Sequence, residues 1–236
     1  MLPLTAERPK CLIELSGRTL IEWQIDMLAR GGVKRIDVVT GFMTDMVDDV
    51  LAGIDDPRVT ITPRFNPFYK VADNLGSCWI ARDAMDGDFL ILNGDTLVSE
   101  EIVRKVQAGH EGGQWPITVT VDVKPAYDSD DMKVERADGG RSDRLLHIGK
   151  TLTAAQSNAE SIGFLAFRGD GAALFRDAVR AAMRTPEGVQ HWYLKVIDGL
   201  APTGKVGTLS IEGMGWAEVD FLNDIEIATK LTESWV

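Results

Sequence analysis

The stretch Asp88-Phe-Leu-Ile-Leu-Asn-Gly-Asp-Thr-Leu-Val-Ser99 decides the fold. Its apolar run, Phe89 to Leu92, is short and continuous, as expected of a strand buried on both faces of a mainly parallel sheet. The run ends in Asn93-Gly94-Asp95, where Gly94 is expected to let the backbone turn sharply. Asp95 then follows the carboxyl end of the strand, the edge at which open α/β sheets bind ligands. A carboxylate there can hold a divalent metal against a polyphosphate. These residues alone leave a second reading open, a strand-ending turn in which Asp95 caps the next helix.

Outward from this strand the rhythm is strand, helix, strand with short connections, the pattern of βαβ units. Thr19 with Glu22 three residues on forms a capping-box pattern. Leu20, Ile21, Ile25 and Leu28 follow at helical spacing, and Gly31-Gly32 stops that helix. A strand is expected around Ile36 to Val39, a helix over residues 44–51, and a strand over 58–62 ended by Pro63. Residues 76–85 read as a helix, with Asn74, Gly76 and Ser77 presenting N–H groups at its start. That arrangement suits an anion or a base edge, and ordinary capping explains it equally well. Helices are expected at 100–108, 171–183, 190–200 and 223–233, with residues 109–114 as a loop. The β-prone segments at 116–123, 132–135, 144–148 and 161–167 read as a small antiparallel insertion. Later extended pieces fall at 206–211 and 216–220. The expectation is one α/β domain over residues 1–236, with a mixed, mainly parallel sheet flanked by helices.

Composition bounds the function. The chain has 236 residues, with 25 basic against 36 acidic side chains and a net charge of −11. That balance disfavours nucleic acid and anionic membranes, while leaving room for a local phosphate site. Cys11 and Cys78 cannot build a disulfide framework or a four-cysteine zinc site, and read as core thiols. No apolar run reaches membrane-spanning length and no signal-peptide pattern is seen, so a cytoplasmic location is expected.

Several separated motifs carry a resemblance. Pro3-Leu4-Thr5 with Pro9-Lys10, then Asn93-Gly94-Asp95, then Glu218-Val219-Asp220 resemble the signature of the nucleotidyltransferases that make activated sugars and alcohols. Asn66-Pro67-Phe68-Tyr69, Asp73-Asn74-Leu75-Gly76-Ser77, Asp130-Asp131-Met132-Lys133-Val134, Gly149-Lys150, Glu160-Ser161-Ile162-Gly163 and Trp192-Tyr193 look most like the phosphocholine cytidylyltransferase branch. The resemblance implies a Rossmann-like fold and transfer of a nucleotidyl group from a nucleoside triphosphate, CTP favoured, to a small phosphorylated acceptor, with release of pyrophosphate. It implies Mg²⁺ held by Asp95 and Asp220, Lys10 on the phosphates, Lys150 on the incoming phosphate and Lys133 as a helper. Asn74, Gly76, Ser77, Asn93 and Gly94 are then expected beside the nucleotide.

Alternation along residues 216–220 puts Trp216, Glu218 and Asp220 on one face, which favours Glu218 as a further metal ligand. A choline headgroup would be met by aromatic faces and carboxylates. Tyr127, Trp192, Tyr193 and Trp216 are the candidate faces, Asp130 or Asp131 the added charge, and Glu160 a further acceptor-side residue.

The family's glycine-rich loop and the strand before it are not present ahead of Met1-Leu2-Pro3. A start assigned too late, a shortened and inactive chain, or a strand supplied by a partner each account for this. Low stability or altered oligomerisation is expected in consequence, with a homo-oligomer among the expected states. Two other readings stay open. One is a glycosyltransferase, which usually has Asp-x-Asp where this chain has Asn93-Gly-Asp95. The other is a nucleotide-binding protein without catalysis. Within the nucleotidyltransferases, sugar 1-phosphates are alternative acceptors.

Overall fold

The computed structural model describes residues 4–111 and 115–235. Pro3 of the first motif and the loop expected at 112–114 lie outside them. In chain order the elements begin with β1 (Glu14–Leu15), β2 (Arg18–Thr19), α1 (Leu20–Arg30), β3 (Arg35–Thr40), α2 (Thr44–Ala52) and β4 (Thr60–Phe65). There follow α3 (Asn74–Ile80), β5 (Phe89–Leu92), β6 (Thr96–Val98), α4 (Glu100–Glu111), β7 (Ile117–Asp122), β8 (Lys133–Arg136) and β9 (Leu145–Ile148). The last are β10 (Ala159–Phe167), α5 (Asp170–Ala182), α6 (Tyr193–Leu200), β11 (Val206–Ser210), β12 (Trp216–Glu218) and α7 (Leu222–Glu233). Among the described residues no helix is long and apolar enough to cross a membrane.

The chain forms two compact units. The first takes the described parts of Met1–Pro67, Asn93–Lys105 and Met214–Val236. Its start is set by local chemistry. Ser16 and Gly17 turn the β1–β2 hairpin with positive φ. The Thr19 hydroxyl then accepts from the Glu22 N–H while Glu22 accepts from the Thr19 N–H, so the predicted capping box opens α1. One part of α1 meets Leu12, Val47 and Leu51 through Ile21 and Ile25. Another part buries Leu20, Trp23 and Met27 with Leu15, Leu97 and Val219. β3 and β4 pair in parallel. β4 runs on through Pro63 to Phe65, where a strand ending at Pro63 was expected. Among the described residues β4 pairs only with β3, and Pro63 sits opposite Val38. A proline is tolerated on such an edge, where its missing N–H is not needed.

The second unit takes Phe68–Leu92 and the described part of Val106–Gly213. Its sheet runs β11-β7-β10-β8-β9, with β5 also paired to β10. The mixed α/β class holds, but in this sheet only β7–β11 is parallel, and β5 lies antiparallel to β10. β10 is buried on both faces, with all nine of its residues buried, whereas β5 is half-buried throughout. Residues 116–167 therefore do not make a small insertion. β7 and β10 are central strands, and the β8–β9 hairpin extends the same sheet. The alternation Ile117, Val119, Val121 is the reason, since those side chains lie in the same buried cluster as Leu165, Phe167 and Phe175. Two helix boundaries also differ from expectation. α4 continues to Glu111, through residues expected in a loop. α3 begins at Asn74 and gives way to a 3₁₀ turn at Arg82–Ala84. Both cysteines are free, and burial pushes the Cys78 thiol up to about 12 and Cys11 to about 11, so neither is a reactive thiolate.

Candidate active site

In the first unit a lysine ammonium sits between two carboxylates from distant parts of the chain. Lys10 Nζ donates to Asp95 Oδ2 at 3.0 Å and to Asp220 Oδ1 at 2.7 Å. Each member is placed by its own local structure. Lys10 opens a 3₁₀ turn, Lys10–Leu12, fixed by the Leu12 N–H donating to the Pro9 carbonyl and by burial of Leu12 and Ile13. Asp95 lies in the turn before β6, and β6 pairs antiparallel with β12. One further main-chain bond, Val219 N–H to the Asp95 carbonyl at 3.0 Å, brings the end of β12 to that turn. Ala217 and Val219 are buried, and Glu218 and Asp220 face the other way, as alternation predicts. Asp224 then accepts from the N–H groups of Asp220 and Phe221, at 2.8 and 2.6 Å. This anchors Asp220 at the start of α7.

Ligand atoms of Asp95, Glu218 and Asp220 all lie within 4.8 Å of one another. Asp95 Oδ1 is buried and finds no hydrogen-bond partner among the described residues. An orphaned carboxylate oxygen beside two further carboxylates is a donor set that fits a hard divalent cation. Burial alone would lower the Lys10 pKa, but the charges and hydrogen bonds of Asp95 and Asp220 outweigh it and hold the ammonium above the ordinary lysine value. The ammonium is therefore charged throughout the neutral range and is lost as pH rises past that raised value.

Gly94 differs from expectation. Its φ is not among the positive ones, so the backbone there does not demand glycine. A Cβ at this position would meet no atom within 4 Å, so what the glycine leaves beside Asp95 is open space.

Gln24 is a residue beside this site that the sequence reading did not single out. Its side-chain amide donates to the carbonyls of Asn93 at 2.8 Å and Thr96 at 2.7 Å, clamping the turn that carries Asp95. The signal was a polar residue among Ile21, Ile25 and Leu28 on the buried side of α1. We expect Gln24→Leu to remove both of these hydrogen bonds and cost about 1–3 kcal/mol of stability. We also expect kcat/KM to fall about tenfold as the turn loosens. Melting curves, with kinetics run well below the variant's transition, check both.

The residues expected on the acceptor side lie in the second unit, Trp216 excepted. Lys124 donates to Asp131 Oδ2 at 2.9 Å and to Glu160 Oε2 at 2.7 Å, and its ammonium stands 5.9 Å from the Tyr127 ring centroid. Glu160 is 5% exposed. Burial raises its pKa to about 7 against the pull of Lys124. Lys150 Nζ lies 5.3 Å from the Trp192 ring centroid and 3.7 Å from Asp130. Lys133, expected to help hold the acceptor phosphate, is buried and donates to the carbonyls of Lys150 and Asp131. Tyr193 is 2% exposed within the main apolar cluster and offers no open face for a cation cage. Trp216 belongs to the first unit, on β12.

Asn74, Gly76 and Ser77 lie in the first turn of α3, which starts two residues earlier than expected. α3 begins at Asn74, capped by Asp73. The Asn74 N–H donates to the Asp73 carboxylate, the Leu75 N–H to the His191 carbonyl and the Gly76 N–H to the Asp73 carbonyl. Asn74 Oδ1 accepts from the Tyr193 N–H at 2.9 Å.

Carboxylates gathered around one lysine, in a mixed α/β fold, make a place where a hard cation could be held. Residues 1–134 match the nucleotidyl transferase family, and the chain belongs to it. Among curated relatives, the chain is 22% identical to a CTP:phosphoglutamine cytidylyltransferase of Campylobacter jejuni, covering 96% of this chain and 93% of that one. It is 27% identical to a 2-aminoethylphosphonate cytidylyltransferase of Lancefieldella rimae, over 66% of this chain and 62% of the relative. Among solved structures, the CTP:phosphocholine cytidylyltransferase of Streptococcus pneumoniae superimposes with a TM-score of 0.77 at 17% identity, covering 98% and 93% of the two chains. The inositol-1-phosphate CTP transferase of T. maritima gives 0.74 at 17% identity, covering 98% and 90%.

Proposed function

We propose that this nucleotidyltransferase moves a cytidylyl group from CTP to a small phosphorylated or phosphonylated acceptor, phosphocholine among the candidates, and releases pyrophosphate. The observation that carries the reading is the Lys10 ammonium shared by Asp95 and Asp220, with Glu218 beside them. The choice of CTP is supported by the relatives, which include a CMP-5'-(3-aminopropyl)phosphonate synthase of Streptomyces rubellomurinus; the chain, 25% identical to it, spans 34% of its length. A reaction that draws on nucleoside triphosphates fits a cytoplasmic location.

The chemistry is an in-line exchange. An acceptor oxygen forms a bond to the α-phosphorus, the bond from that phosphorus to the β-phosphate bridging oxygen breaks, and its electron pair leaves with pyrophosphate. No general base is needed, because a phosphate or phosphonate oxygen is already ionised near neutral pH. Lys10 supplies a fixed cation to the oxygens on which negative charge builds, once the triphosphate draws its ammonium off the two carboxylates. Asp95, Glu218 and Asp220 would hold Mg²⁺, which supplies charge neutralisation between the two mutually repelling anions. The open space beside Gly94 lets a phosphate approach the backbone at this turn.

The test is pyrophosphate release with Mg²⁺ and each of CTP, UTP, GTP and ATP, against aminoalkyl phosphates, choline phosphate, aminoalkylphosphonates and sugar 1-phosphates. CTP with a non-sugar acceptor should exceed every other pairing by at least tenfold. Preference for a sugar 1-phosphate, or for another nucleotide, would overturn the reading.

A further inference from the structure

The second unit carries a cleft of about 360 Å³ between the β8–β9 hairpin and the 3₁₀ turn Ala201–Thr203. Small-ligand sites run from about 300 to 1,000 Å³. Leu146 and Pro202 give the cleft apolar surface, and Glu135, Arg144, His147 and Gln156 give it polar groups. None of these residues belongs to the Lys10 cluster or to those expected around the nucleotide or the acceptor. The cleft therefore stands whatever acceptor the protein uses.

Two of the polar groups are fixed on one side and open on the other. Glu135 on β8 stands directly opposite His147 on β9, so the two side chains leave the same face of the hairpin. The Gln156 amide donates to Glu135 Oε2 at 3.3 Å. Gln156 is itself placed by Thr153, whose N–H and hydroxyl donate to its Oε1 at 3.2 and 2.8 Å. Glu135 Oε1 has no partner among the described residues. His147 Nδ1 lies 3.3 Å from Asp198 Oδ1, which also accepts from the Ile148 N–H at 3.1 Å. A carboxylate only accepts, so Nδ1 carries the hydrogen and Nε2 of the neutral ring keeps a lone pair. Glu135 Oε1 and His147 Nε2 are then two neighbouring acceptors, which suits an ammonium group.

Arg144 supplies the opposite charge. Its main chain is held, the carbonyl accepting from the Ala137 N–H at 2.9 Å and the N–H donating to Ser142 Oγ at 3.3 Å. Its guanidinium has no partner among the described residues, and no ion pair joins it to Glu135. A guanidinium takes a carboxylate by two parallel hydrogen bonds. Opposite charges that share a cleft without neutralising each other are complementary to a ligand that carries both. We propose that this cleft binds a small zwitterion, with its carboxylate on Arg144, its primary ammonium on Glu135 and His147, and its carbon chain against Leu146 and Pro202.

The experiment is a ¹H–¹⁵N nuclear magnetic resonance titration of the whole chain with 4-aminobutanoate and 6-aminohexanoate, beside butanoate, butylamine, hexanoate and hexylamine. At least one amino acid should bind about tenfold or more tightly than both single-charge analogues of its length. It should also shift the amide signals of Leu146, His147 and Gln156. Arg144→Gln should bring that amino acid within about threefold of its amine analogue, and Glu135→Gln within about threefold of its carboxylate analogue. The Arg144 side chain is exposed, so its variant keeps the fold and serves alone if Glu135→Gln does not. Neither amino acid binding more tightly than its analogues, a preference that survives Arg144→Gln, or shifts confined to other parts of the chain overturns the proposal. The titration contains no nucleotide, so its failure leaves cytidylyl transfer standing.

Discussion

Asp95→Asn should lower the rate of pyrophosphate release about 10³-fold, a loss of about 4 kcal/mol of transition-state stabilisation. The change keeps the shape of the side chain and removes its charge. Asp95 carries a buried carboxylate oxygen, Oδ1, with no partner among the described residues, so it keeps a lone pair free for a cation beside its Lys10 contact. Asp220→Asn should have a similar effect, because the Val219–Asp95 main-chain bond puts both side chains on the same Lys10 ammonium. Neither variant should lower the melting temperature appreciably. The carboxylates are 25% and 43% exposed, and removing one relieves their mutual repulsion. A variant that melts like the parent and turns over like the parent would remove this cluster from the chemistry.

Lys10→Met should move two observables in opposite directions. Turnover should fall about 10²- to 10³-fold, the usual loss when a single charge-stabilising group is removed from a transferring phosphoryl centre. Metal affinity in the absence of nucleotide should rise about tenfold or more, because three carboxylates within 4.8 Å then lack their internal cation. Mn²⁺ titration followed by electron paramagnetic resonance reads the second effect without reference to activity. The parent protein should bind Mn²⁺ weakly alone and more tightly with nucleotide, since the triphosphate competes for Lys10. Equal Mn²⁺ affinity in parent and variant would show that the Lys10 bridge has no bearing on the metal.

Much of this site was legible because its residues obey local rules. Thr19 and Glu22 announce the start of α1, and strict alternation from Trp216 to Asp220 places Glu218 and Asp220 together. What was not legible depended on partners far away in the chain. The antiparallel neighbours of Phe89–Leu92 are set by β10, and an apolar run does not disclose whether it pairs parallel or antiparallel. The segments at 116–167 looked like an insertion because their turns are polar, yet β10 is the most deeply buried strand of its sheet. Pro63 was read as a stop because sequence alone does not tell an edge strand from a central one. Gly94 was read for its conformational freedom, whereas its φ is not positive and a Cβ there would meet no described atom within 4 Å. Gln24 looked like a defect in an apolar stripe until the carbonyls of Asn93 and Thr96 appeared above it. Lys124 carries no local signal at all, since its role follows from Asp131 and Glu160, which reach it from other strands.

The measurement that bears most directly on the whole account is ³¹P nuclear magnetic resonance of the chain with Mg²⁺, CTP and 2-aminoethyl phosphate. Cytidylyl transfer predicts a new pyrophosphate-diester signal and free pyrophosphate appearing in equal amounts, with both signals lost in Asp95→Asn. Inorganic phosphate with CDP, or CTP unchanged beside a folded protein that binds it, would contradict the assignment of Lys10, Asp95 and Asp220 to nucleotidyl transfer.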